Sequence, residues 1–157
     1  MGQYSLTEFE RAANFLRGKI VRTPLIQVPN REIFLKAECL QLAGSFKIRG
    51  ATYCMSLHTE EERARGVIAY STGNHAKAVA MAAKLLGIKA TIVMSEAAPL
   101  FKIEAVQRSG ATLIMAASSD VMREVAEGIA KEQGSYLISP YDHPEVCLLY
   151  TSDAADE

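Results

Sequence analysis

Lys47 lies in the run Gly44-Ser45-Phe46-Lys47-Ile48-Arg49-Gly50, which opens a helix-patterned stretch over residues 48–57. A lysine at a loop-to-helix junction can attack a carbonyl or carry a proton only as the free amine. Its ordinary pKa of about 10 must then be lowered by desolvation or a neighbouring cation. Phe46 supplies an apolar neighbour. The commoner use of such a lysine is a solvated charge in a turn. A Walker-type phosphate loop is excluded, because the GxxxxGK[ST] spacing is absent. A second run, Ser71-Thr72-Gly73-Asn74-His75, joins an apolar strand-like segment to a helix-patterned one. First-turn N–H groups have no partner within a helix and carry the positive end of its dipole. With the flanking hydroxyls, this turn suits a carboxylate or a phosphate. The alternative is a plain helix cap.

These two loops need elements to hold them. From Gly66 onward, apolar strand-like runs at residues 67–70, 90–94, 112–116 and 136–139 recur every 22 to 24 residues. A helix is expected in each gap: residues 74–86, stopped by Gly87; from about Pro99 to before Gly110; and about 119–133, with Glu127 and Lys131 at ion-pair spacing. Strands with almost no polar alternation, separated by helices, predict an α/β unit with a parallel sheet covered on both faces, doubly wound. Its STGN turn then falls at the carboxyl end of a strand, where open α/β sheets bind ligands. Upstream, residues 6–16 read as a short amphipathic helix with Thr7 and Glu10 as a capping box. Arg22-Thr23-Pro24-Leu25 must be extended, and residues 33–38 read as a strand.

Composition narrows the function. The 157 residues are 49% hydrophobic and 22% charged with net charge −1, the balance of a globular protein with a small-molecule site. A basic cluster interleaved with aromatics is missing, as are a long apolar run and a leader pattern. The reading is therefore no nucleic acid, no membrane and a cytoplasmic location. Cys39, Cys54 and Cys147 lack metal-ligand spacing and read as reduced thiols; no metal site is named.

The runs GSFKIRGA, STGNHAKAVAMAA and PYDHPEV, with the upstream RTPL and LKAECLQLAGSFK, resemble the fold type II pyridoxal-phosphate enzymes (tryptophan synthase beta-like). Within that class they are similar to the branch of serine/threonine dehydratases and serine racemases. The resemblance covers residues 20–146. It implies Lys47 as the Schiff-base and catalytic residue, Phe46 and Asn74 as cofactor contacts, and Ser71, Thr72, Gly73, Asn74 and His75 as the substrate-carboxylate loop. His75 is expected to act through its backbone N–H rather than as a base. Arg49 is expected to pair a carboxylate structurally, Ser45 to orient the cofactor or satisfy backbone groups, and Lys77, Lys102, His58 and His143 to be solvated or packing residues.

The resemblance also implies pyridoxal 5′-phosphate as cofactor, an amino-acid substrate and a homodimer or higher homo-oligomer. In domain terms it implies residues 1–65 as part of a large domain that is incomplete here, 66–139 as a small α/β domain, and 140–146 as the return to the large one. The family's glycine-rich phosphate loop and pyridine-nitrogen partner are expected beyond this chain. Residues 147–157, CLLYTSDAADE, break the pattern and read as a non-native tail.

Overall fold

The computed structural model describes residues 5–140. Its centre is a four-stranded parallel sheet of β3 (Val67–Tyr70), β4 (Ala90–Ser95), β5 (Thr112–Ala116) and β6 (Tyr136–Leu137), in the order β5-β4-β3-β6. The chain steps outward from β3 through α4 (Asn74–Leu86), β4 and α5 (Leu100–Gln107) to β5. It then returns through α6 (Met122–Gln133) to place β6 on the other side of β3. The sheet is thus doubly wound, and its topological switch point lies between β3 and β6.

Side-chain alternation along the strands separates two cores. Val67, Ala69, Ile92 and Met94 point to one face, where they meet Ala76, Val79, Ala80 and Ala83 of α4 and Val106 of α5. Ile68, Tyr70 and Val93 point to the other and meet Met122 and Ala126 of α6. β3 is buried at every residue, which is why it lacks polar alternation. β5 differs from the expectation of burial on both faces: it is the sheet edge, with Thr112 and Met115 exposed.

The N-terminal part contributes α1 (Leu6–Leu16), the antiparallel pair β1 (Leu25–Gln27) and β2 (Phe34–Lys36), and α2 (Lys47–Ser56). A single 3-10 turn, Glu38–Leu40, follows β2, so the strand expected over residues 33–38 is shorter than its apolar pattern. Ile48, Ala51, Cys54 and Met55 of α2 are fully buried in the same core as α4. α2 therefore packs on the same core as the helices and strands that follow residue 66.

Several local expectations are corrected. The capping box of α1 is Ser5 with Glu8, not Thr7 with Glu10: Glu8 accepts from the Ser5 N–H at 2.6 Å and from its hydroxyl at 2.8 Å. α3 (Glu60–Arg65) was not expected, although Thr59 and Glu62 form a capping box at its start. Pro99 caps α5 rather than beginning it, and α6 starts at Met122 rather than near Ser119. Glu127 accepts from Arg123 Nε at 2.6 Å, one turn back, instead of pairing with Lys131. Residues 141–146 of the PYDHPEV run, with His143, and the tail expected over 147–157, with Cys147, lie outside the described residues.

One glycine between α3 and β3 is fixed by geometry. Gly66 has φ +86°, and a Cβ there would approach the Lys89 carbonyl oxygen to 2.9 Å. Gly66→Ala is expected to destabilise the fold by roughly 1–3 kcal/mol from backbone strain alone, with the clash adding to it. Denaturant unfolding checks this; an unchanged midpoint would contradict it.

Candidate active site

Lys47 is the first residue of α2, with Phe46 as N-cap and Gly44 at φ +72° providing the turn into it. Apolar packing of Ile48, Ala51 and Met55 seats the helix on α4, while Tyr53 packs with Ala12 and Leu16 of α1. Lys47 stays half-buried, and its Nζ lies 5.6 Å from the centroid of the Phe46 ring. Ser45 is 7% exposed, and its Oγ is buried without a hydrogen-bond partner among the described residues. The hydroxyl is therefore not spent on local backbone groups, the more ordinary use of a loop serine.

The second loop grows out of β3. Ser71 N–H donates to the Val93 carbonyl at 3.1 Å, so its start is held by the sheet, and Ser71 Oγ accepts from the Gly73 N–H at 3.1 Å. Gly73 caps α4 but has no side chain to satisfy the first-turn N–H groups. N–H groups at a helix start are oriented for an anion. Thr72 is half-buried and Asn74 exposed at the helix start. The loop sits at the carboxyl end of β3, beside the switch point where open sheets form their binding crevice.

His75 has a role the sequence did not reveal. Its side chain is only 3% exposed, and Nε2 lies 3.0 Å from the Ile138 carbonyl oxygen. That contact ties the start of α4 to the chain leaving β6, across the switch point. His58 packs face-near on Tyr136, ring centroids 3.7 Å apart, as a packing residue should. Lys77 is half-buried rather than fully solvated, and a methyl group at Gly44 would meet its Nζ at 3.6 Å. The tip of the Lys77 side chain, from α4, therefore reaches the loop before Lys47.

Arg49 pairs a carboxylate, as the sequence suggested. Its Nη2 donates to Glu38 Oε1 at 2.7 Å and its Nε to Oε2 at 3.0 Å. Thr23 donates its hydroxyl to the same Glu38 oxygen. Burial pushes the Glu38 carboxyl upward, but the hydrogen bonds from Arg49 and Thr23 outweigh it and hold the group below the ordinary glutamate range. The pair is thus charged at neutral pH.

An amine, a buried unengaged hydroxyl and an uncapped helix start together suit a ligand that carries a carbonyl and an anionic group. Pyridoxal phosphate is such a ligand, so the residues present fit it. The family model described as pyridoxal-phosphate dependent enzyme matches residues 16–157, and the chain belongs to that family. It is 39% identical over 153 residues to a putative threonine dehydratase of Sinorhizobium fredii, covering 93% of this chain and 46% of that protein. It is 42% identical over 146 residues to the catabolic L-threonine dehydratase TdcB of Staphylococcus aureus, covering 88% of this chain and 42% of that one.

Among solved structures, maize serine racemase superposes with a TM-score of 0.90 at 33% identity, over 97% of this chain and 48% of that chain. The processed form of threonine deaminase isoform 2 from Solanum lycopersicum superposes at 0.80 and 31%, over 92% of this chain and 46% of that chain. The expected fold type II architecture is therefore the observed one. The chain spans rather less than half the length of the curated relatives it matches.

Proposed function

We propose that this chain is the lysine-bearing half of a pyridoxal-phosphate-dependent dehydratase, an ammonia-lyase that converts a hydroxy amino acid such as serine or threonine into a 2-keto acid and ammonia. The observation that carries the reading is Lys47 on the first turn of a buried helix that packs on α4, whose own start has no side-chain cap. The named dehydratases at 39% and 42% identity support the choice of reaction.

When bound, the cofactor supplies an aldehyde that takes up amines and a conjugated ring that accepts an electron pair. In this reading, Lys47 would hold the cofactor through its Nζ until the substrate's amino group displaces it, and the amine so freed would remove the substrate α-proton. The N–H groups of the 71–75 loop bind the substrate carboxylate, with Ser71 holding Gly73 in shape. Asn74 orients the ring by a side-chain hydrogen bond, and Phe46 gives the lysine an apolar neighbour. The α-proton and the β-hydroxyl leave as water, and the resulting enamine tautomerises and hydrolyses to the keto acid and ammonia.

Racemisation is the second reading, favoured by the superposition on maize serine racemase and by the Thr72 hydroxyl in the loop. It requires an acid on the face opposite Lys47. A full-length protein carrying this segment, given L-serine or L-threonine, is expected to release keto acid. Accumulation of D-serine without keto acid would establish the racemase instead. Failure of pyridoxal phosphate with borohydride to label Lys47 would leave only a non-catalytic anion-binding module. Within the same reading the protein is a cytoplasmic homodimer or larger homo-oligomer, with residues 66–139 as its small domain. Among the described residues, no helix is long and apolar enough to cross a membrane, and no group of three or more His, Cys, Asp or Glu residues is placed to hold a metal.

A further inference from the structure

We infer that Arg49, Glu38 and Thr23 are positioning residues for Lys47: together they form a directional brace that fixes how α2 presents its amine. The inference rests on the reading of Lys47 as the reactive amine.

The packing of α2 leaves a gap that the brace fills. Its contact with α4 is made by Ile48, Ala51, Cys54 and Met55, all apolar, and its contact with α1 is made by Tyr53. Apolar contact is non-directional, so it holds the helix down without fixing its rotation or its slide along the axis. Arg49 is two residues beyond Lys47, about 200° further round the helix, and so acts from the far side of the lysine. A cation in the first turn of a helix opposes the dipole, which means that helix stability does not account for it.

Arg49 is only 9% exposed. Besides its two bonds to Glu38, its Nη2 lies 3.4 Å from Thr23 Oγ1 and 3.5 Å from the Val21 carbonyl oxygen. The segment that it grips is held independently. Gln41 accepts from Val21 N–H at 3.0 Å and donates to the Val21 carbonyl at 2.7 Å, and Lys36 Nζ donates to the Thr23 carbonyl at 2.8 Å. A fork-on-carboxylate pair fixes both distance and plane, and Lys cannot reproduce it. Residues 21–23, the turn after β2 and the first turn of α2 are thereby locked as one unit, with Lys47 at its edge.

The test uses a full-length protein carrying this segment, with Arg49→Lys, Arg49→Met and Glu38→Asp. Two readouts are taken well below the melting temperature: the rate at which borohydride traps pyridoxal phosphate on Lys47, followed by peptide mass spectrometry, and the visible circular dichroism per bound cofactor. Since a misplacement of about 1 Å can cost on the order of 100-fold, Arg49→Lys and Arg49→Met are expected to slow trapping by about tenfold or more and to weaken the visible signal. Glu38→Asp keeps the charge of the pair but shortens its reach, and is expected to slow trapping measurably though less than the arginine variants; it carries the test if those variants do not fold.

Folded variants that trap at the wild-type rate with a wild-type visible signal would overturn the inference and leave the functional reading standing. A wild-type protein that is not labelled at Lys47 would overturn the functional reading, and the inference with it.

Discussion

Lys47→Ala in a full-length protein carrying this segment is expected to lower keto-acid production from serine or threonine by roughly 10³-fold or more, the range for removal of a positioned acid–base group that also anchors the cofactor. The fold is expected to survive. Lys47 is half-buried on the first turn of α2, while Ile48 beside it is fully buried and carries the core packing. A substitution away from core contacts changes stability by about 0.5 kcal/mol or less. The measurement is a coupled keto-acid assay alongside a thermal melt. Wild-type turnover by the alanine variant would sink the assignment of Lys47, and loss of both activity and folding would show that the residue is structural.

The 157-residue chain on its own is expected to bind pyridoxal phosphate weakly and to release no keto acid. The reason lies on its surface. Phe34, Leu35 and Leu40 are each more than half exposed, and Ile26 and Ile33 nearly so, on and around a two-stranded hairpin that packs little of its own apolar surface. Two strands do not make an independently stable sheet, and this much exposed apolar surface promotes association. The α/β unit is different: β3 and the cores on either side of it are closed, and α2 belongs to that closed part. Its helices and parallel strands should persist while the hairpin drives aggregation. Size-exclusion chromatography, the visible absorbance with added cofactor and the keto-acid assay check the three parts of the expectation. A monodisperse yellow protein that turns over serine would contradict it.

The sequence by itself determined the elements whose signals are local. β3 at Val67–Tyr70 and β5 at Thr112–Ala116 were legible as short apolar runs, and α4 at Asn74–Leu86 as an amphipathic stretch closed by Gly87, which takes the left-handed conformation that ends a helix. Lys47 and the 71–75 loop were legible because their residue types carry chemistry at fixed spacing. Two local signals were present but not used: the Thr59/Glu62 box that starts α3 was passed over, and the Ser5/Glu8 box that starts α1 lies slightly upstream of the one expected.

The tertiary structure alone decided everything that depends on a distant partner. Periodicity shows that strands are buried but not their order, so the sheet order β5-β4-β3-β6 and the switch point beside the STGN loop appear only in the fold. His75 was expected to act through its backbone N–H, yet its side chain is buried beside a carbonyl oxygen 63 residues away, on Ile138, at 3.0 Å. Arg49 suggested a carboxylate partner, but Glu38 and Thr23 became that partner only when β2 and the extended segment before β1 were brought against α2. Local propensity acts through neighbours in the chain. The placement of a buried polar group depends on which hydrogen-bond partner the packed core leaves within reach, because leaving such a group without one is costly.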